Sequence, residues 1–121
     1  FHEKVYKERG IKFYGEFYSD LEYDETGYLV IAKGRNKYYP TDRAVERCLR
    51  AMNENKVKTV QGNDVVVGCE TICVHSDTPN AVEILKALRE KISSDKKIPQ
   101  KTSNGNHTKM PYIVDKKWKK F

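Results

Sequence analysis

Two stretches of this chain repeat apolar residues at helical spacing. In the first, Ala44, Val45, Cys48, Leu49 and Met52 fall on one face, while Arg43, Glu46, Arg47 and Arg50 point elsewhere. Pro40-Thr41-Asp42 marks its start, with Thr41 as the expected N-cap and Asp42 at the positive end of the helix dipole. This helix is expected to fade at Asn53 to Asn55. In the second, Ala81, Ile84, Leu85, Leu88 and Ile92 form one stripe, with Glu83, Lys86, Arg89 and Glu90 outside it. Thr78 reads as its N-cap, and Pro79 sits in the first turn, where a missing N–H costs nothing.

The remaining apolar residues come in short runs that read as strands. Ile11 to Phe17 follows Gly10, a residue suited to ending a helix that covers Val5 to Gly10. Tyr28 to Ala32 reads as a brief strand inside a long polar stretch, Tyr18 to Tyr39, broken by the turn Asp24 to Gly27 and by Gly34 and Asn36. A connection this long is more often a functional loop than filler. Lys56 to Val60 and Val65 to Val67 flank Gln61-Gly62-Asn63-Asp64 and predict a hairpin. Thr71 to Val74 is a further apolar run, cut off by His75-Ser76-Asp77. The chain shows no internal repeat. From Ser93 onward Lys, Ser, Asn, Gly and Pro dominate, a composition that cannot bury a core. Only Tyr112-Ile113-Val114 and Trp118 interrupt it. The expectation is one α/β domain over 1–93 and a basic, disordered tail over 94–121.

Charge supports that division. The 121 residues carry 23 Lys+Arg against 17 Asp+Glu, a net +6. Residues 94–121 hold eight Lys and two Asp, which accounts for the whole excess and leaves 1–93 balanced. A folded nucleic-acid binder carries its basic patch on the folded part, so no nucleic-acid partner is expected. No run approaches the roughly 18 apolar residues that cross a bilayer, and no membrane partner is expected. Cys48, Cys69 and Cys73 are an odd number at no framework spacing, which favours a reducing compartment and a cytoplasmic protein. Asn106-His107-Thr108 fits a glycosylation acceptor, relevant only to a secreted chain. Lys116-Lys117-Trp118-Lys119-Lys120 sets an aromatic among cations, a pattern more typical of a solvated chain end than of a lipid or RNA contact.

The candidate chemistry lies where strands give way to helices, because backbone N–H groups and helix dipoles converge at that edge of an α/β sheet. His75 and Asp77 have equal parity on an extended chain, so both are expected to face one pocket as catalytic residues. A His held beside a carboxylate can move protons near neutral pH. The structural alternative makes Asp77 a helix-start residue and His75 an ordinary hydrogen-bonding group. Glu16 and Asp20 follow the first strand and are expected to bind substrate at the same rim, with Tyr23 adding a hydroxyl to the loop. Cys69-x3-Cys73-x-His75 resembles a zinc string but lacks a fourth ligand, so no metal site is assigned.

Two segments carry a family resemblance. One is Glu16-Phe17-Tyr18-Ser19-Asp20 running through Tyr23 to Val30. The other is Thr71-Ile72-Cys73-Val74-His75-Ser76-Asp77-Thr78-Pro79, continuing to Ala81-Val82. Asn55-Lys56-Val57 and Thr59 to Gly62 add to the match, which covers about residues 4 to 92. In these motifs the chain resembles the LamB/YcsF family, in its carboxy-terminal part. The resemblance implies a partial (β/α) barrel of the glycoside hydrolase/deacetylase type, here with a β-hairpin insertion. It also implies one component of the ATP-dependent 5-oxoprolinase, which opens a small-molecule lactam to give glutamate. ATP and the step that consumes it would come through partner subunits of an oxoprolinase complex.

The chain departs from that family's pattern at two motif positions. Leu21 stands where the family usually has Arg, and Ser76 where it usually has Gly. The family's amino-terminal Asp-Leu-Gly-Glu, Gly-Phe-His-Ala-Gly-Asp and Lys-Pro-His-Gly stretches do not occur here, so this chain is expected to be incomplete and inactive alone. The alternatives are a non-catalytic remnant that docks onto a partner, or a carbohydrate hydrolase or deacetylase on the related barrel.

Overall fold

Phe17 and Ile72 lie side by side in two parallel strands and are fully buried. The strands are β1 (Glu16–Tyr18) and β6 (Thr71–Val74), paired with Glu16 opposite Thr71 and Tyr18 opposite Cys73. A third parallel strand, β7 (Tyr112–Asp115), adds to β6, giving the sheet order β1-β6-β7. The computed structural model describes residues 2–31 and 37–94, together with the backbone of 112–115.

The other elements are α1 (His2–Glu8), β2 (Glu22–Tyr23), β3 (Leu29–Val30), α2 (Thr41–Glu54), β4 (Lys56–Lys58), β5 (Asp64–Val66) and α3 (Ala81–Ser94). β2 pairs with β3, and β4 with β5, as two antiparallel ribbons. The fold is therefore mixed α/β, with a parallel sheet at its centre. Ile72, Cys73 and Val74 are all buried, as expected of a parallel strand covered on both faces. Against the sheet, α2 buries Ala44, Val45, Cys48 and Ala51, while α3 buries Ala81, Ile84, Leu88 and Ile92. Each set repeats every three or four residues, so one face of each helix closes the core.

Several expectations change at element ends. The strand after α1 is only β1, and Ile11, Phe13 and Tyr14 ahead of it are exposed. With Pro40 as the N-cap of α2 there is no side-chain cap, and Thr41 lies inside the helix, its hydroxyl donating to Glu83 Oε1 at 2.8 Å. Thr78 does not cap α3 either. That helix begins at Ala81, and Ile84 N donates to the Asn80 carbonyl. The hairpin forms as expected, with Gly62 at φ 94° in its turn, a conformation only glycine adopts without strain. The expected strand over Tyr28 to Ala32 is shorter, as β3, and Ala32, Gly34 and Asn36 lie outside the described residues. Placing 94–121 wholly outside the domain is corrected at β7. Its β-branched pair, Ile113-Val114, is register-matched to Ile72 and Cys73, so backbone pairing recruits a segment whose surroundings are too polar to look like core. Among the described residues, no helix is long and apolar enough to cross a membrane.

Candidate active site

Because β1 and β6 are parallel and in register, both chains leave the sheet at the same edge. Past β1, Ser19 extends the pairing: its N–H donates to the Cys73 carbonyl at 3.0 Å and its hydroxyl to the same oxygen at 2.9 Å. This brings Asp20 over the first residue after β6, His75. The Asp20 carboxylate, buried with its side chain 1% exposed, accepts three hydrogen bonds. His75 Nδ1 lies 2.7 Å from Oδ1, while the His75 backbone N–H at 3.0 Å and the Thr78 hydroxyl at 2.6 Å both donate to Oδ2.

Those contacts fix the direction of the hydrogen bond at Nδ1. An ionised carboxylate can only accept, so Nδ1 carries the proton and points it at Asp20. His75 Nε2 is buried and has no hydrogen-bond partner among the described residues. The ring stacks on Tyr18, with centroids 5.7 Å apart and planes inclined by 16°. Burial alone would raise the Asp20 pKa. The hydrogen bonds from the His75 ring, the Thr78 hydroxyl and the His75 backbone, with the attraction of His75, outweigh it and hold the carboxyl below its ordinary value.

A second buried group grips the loop from below. Arg47 is 8% exposed, and its Nη1 donates to the Ser19 carbonyl at 2.8 Å and to the Tyr39 hydroxyl at 2.7 Å. Its Nη2 donates to the Leu21 carbonyl at 2.5 Å. The guanidinium lies 5.5 to 5.9 Å from the ring centroids of Phe17, Tyr23 and Tyr39. The Tyr39 hydroxyl in turn donates to Glu22 Oε1 at 2.8 Å, which also pairs with Arg43 at 2.8 Å. Burial pushes the Tyr39 hydroxyl up to about 12, against the pull of Arg47. Asn80 ties the same segment to the start of α3, its amide donating to the Tyr39 carbonyl at 2.7 Å.

The predicted site residues therefore separate. His75 and Asp20 come together. Asp77 does not join them: it is exposed in the turn before α3, because the chain bends at Ser76 and extended-strand parity no longer applies. Glu16 does not follow β1 but opens it, half-buried opposite Thr71, at the far end of the strand from Asp20. Tyr23 faces the core, stacked on Phe17 at 5.5 Å, and its hydroxyl accepts from the Tyr18 N–H at 3.1 Å. Burial raises its pKa to about 12. Cys69 is raised to about 12 by burial and by neighbouring Glu70. Among the described residues no three His, Cys, Asp or Glu side chains gather as a metal-binding group.

Sequence reasoning does not pick out Arg47, Thr78 or Tyr39 as members of the site. Arg47 does carry a signal: it stands three residues after Ala44 and four before Ala51, both buried, which puts it on the inward face of α2.

With this geometry in place, comparison with known proteins assigns the chain. Residues 2–106 match the LamB/YcsF family, and the chain belongs to that family. It is 36% identical over 91 residues to a 5-oxoprolinase A-subunit of Pseudomonas putida, covering 75% of this chain and 36% of that protein. It is 34% identical over 89 residues to the 5-oxoprolinase A-subunit of Oceanobacillus iheyensis, covering 73% of this chain and 35% of the relative. The chain thus spans about a third of the length of these relatives. Among solved structures it is similar to the lactam utilization protein from Thermus thermophilus, with a TM-score of 0.63 and 27% identity over 76% of this chain and 36% of that one.

Proposed function

We propose that this chain contributes a proton-transfer pair, Asp20 and His75, to a 5-oxoprolinase-type hydrolase that opens a lactam ring. The observation that carries the reading is the imidazole anchored at Nδ1 by a buried carboxylate, with Nε2 lacking a partner among the described residues. A ring so anchored presents one basic nitrogen in a fixed direction, the arrangement general base catalysis requires.

In the reaction, Nε2 takes a proton from water as the water oxygen bonds to the lactam carbonyl carbon. The same proton then passes to the ring nitrogen as the carbon–nitrogen bond breaks, and 5-oxoproline becomes glutamate. Asp20 stays ionised throughout and stabilises the imidazolium that forms. Nε2 is enclosed in this chain, so a substrate reaches it only when the groups over it shift. Tyr18, stacked on the ring, and Thr78, on Asp20, keep the pair oriented meanwhile.

The turns Ser19–Asp24 and His75–Asn80 contain no glycine, so they do not fit the Gly-rich cradle that phosphates take at a strand-to-helix turn. The ATP-dependent step is accordingly assigned to partner subunits, in keeping with relatives named as one component of a larger enzyme. The chain is read as part of a larger (β/α) barrel, whose other strands would complete the pocket. Asp77, exposed in the turn that follows His75, is left out of proton transfer, and Glu16 and Tyr23 out of substrate contact.

The test uses the complete Pseudomonas putida enzyme with its partner subunits. Replacing the residue aligned with His75 by Asn is expected to cut ATP-dependent glutamate formation by about 100-fold or more, measured at a temperature where the variant is still folded. Unchanged turnover would remove His75 from the reaction.

A further inference from the structure

We infer that Arg47 is a positioning residue for the Asp20–His75 pair, acting on the backbone at both sides of Asp20. This rests on the reading of that pair as the proton-transfer unit. Asp20 sits in a three-residue link between β1 and β2, and one guanidinium takes the carbonyl before it, Ser19, and the carbonyl after it, Leu21. The Ser19–Asp20 peptide plane, which directly precedes the Asp20 side chain, and the Leu21–Glu22 plane one residue further on are thereby held from a single rigid fork. On the other side, Ser19 is fixed to β6 through the Cys73 carbonyl. Asp20 is held between the sheet and α2, and the carboxylate has little freedom left.

The chemistry of Arg47 suits this purpose and little else. Its partners among the described residues are two carbonyls, a phenol and the faces of three aromatic rings, and none is a carboxylate. A buried cation without a carboxylate partner is costly, and an apolar side chain at the inward face of α2 would fill the same space without that cost. What an apolar side chain cannot do is ligate two carbonyls two residues apart. A Lys is a poorer substitute, since its single point-charge nitrogen lacks the two fixed nitrogens of the fork that reach the two carbonyls separately.

The experiment is NMR of the full chain with ring-labelled histidine, following the hydrogen-bonded Nδ1 proton of His75 and its tautomer. In the parent chain the proton is expected far downfield, with the ring held as the Nδ1–H form. In Arg47→Met and Arg47→Lys the downfield signal is expected to be lost and the ring to sample both tautomers. Ile92→Ala, which weakens the core at the distant end of α3, is expected to keep the signal, separating positioning from general loss of stability. Should Arg47→Met fail to fold, Arg47→Lys decides alone. A downfield signal and single tautomer retained in Arg47→Lys would overturn the proposal. That readout does not depend on turnover, so a failure here is distinct from a failure of His75 to matter in catalysis.

Discussion

His75 Nδ1 and Asp20 Oδ1 lie 2.7 Å apart although 55 residues separate them in the chain. Parallel pairing of β1 with β6 creates this contact. Each strand ends at the same sheet edge, and each supplies one member of the pair within two residues of its end. The pair is therefore a structural joint, and under the proposed function also the proton-transfer unit, so substitutions there are expected to change stability as well as turnover.

Asp20→Ala removes the acceptor for three buried donors, namely the His75 backbone N–H, the His75 ring and the Thr78 hydroxyl. Leaving buried donors unpaired is expected to destabilise the chain by roughly 3 kcal/mol. Urea unfolding of the two chains, compared at neutral pH, measures it. A loss no larger than that of an exposed substitution such as Asp77→Ala would show that the joint contributes little.

Acidification tests the same carboxylate from another side. Its folded-state pKa lies below the ordinary value of 3.8, because the hydrogen bonds it accepts outweigh its burial. Its stabilising contribution is therefore complete above the unfolded value and is lost as pH falls through the lower, folded value. The urea midpoint of the parent chain should fall in that acidic window, and that of Asp20→Asn should lack this component. Parallel pH profiles for the two would contradict the assignment.

Leu88 is fully buried where α3 meets the core. Leu88→Ala opens a cavity there and is expected to cost about 2 to 5 kcal/mol, read as a drop in the denaturation midpoint. Exposed Val82 on the same helix serves as the control, with Val82→Ala expected near zero.

Gly62 turns the β4–β5 hairpin at φ 94°, with open space where a Cβ would stand. Gly62→Ala therefore strains the backbone without a clash and should cost about 1 kcal/mol. A neutral effect in thermal denaturation would mean that the turn relaxes to another conformation.

Much of this arrangement is legible in the residues. Both long helices, the hairpin, the buried strand at Thr71 to Val74 and the place of His75 just past that strand follow from periodicity and from the abrupt change at His75. Its partner does not follow. Parity along an extended strand picks Asp77, two residues on, but the backbone turns at Ser76 and exposes it. The neighbour in space, Asp20, is reached only through strand pairing, which local pattern does not encode. Thr78 misleads for a related reason, since a hydroxyl before a helix looks like a cap until a distant carboxylate competes for it. Arg47 reads as a surface cation by type, and only its spacing on α2 betrays its inward face. β7 is hidden by the polar composition around it.

Under the proposed function Asp20, and not Asp77, is the carboxylate that makes His75 a base. This is decided by kcat for lactam opening in the complete Pseudomonas putida enzyme, with the residues aligned with Asp20 and Asp77 changed singly to Asn. A fall of about 100-fold or more is expected at position 20, with a near-normal rate at position 77. A near-normal rate at position 20 with a collapse at position 77 would contradict it.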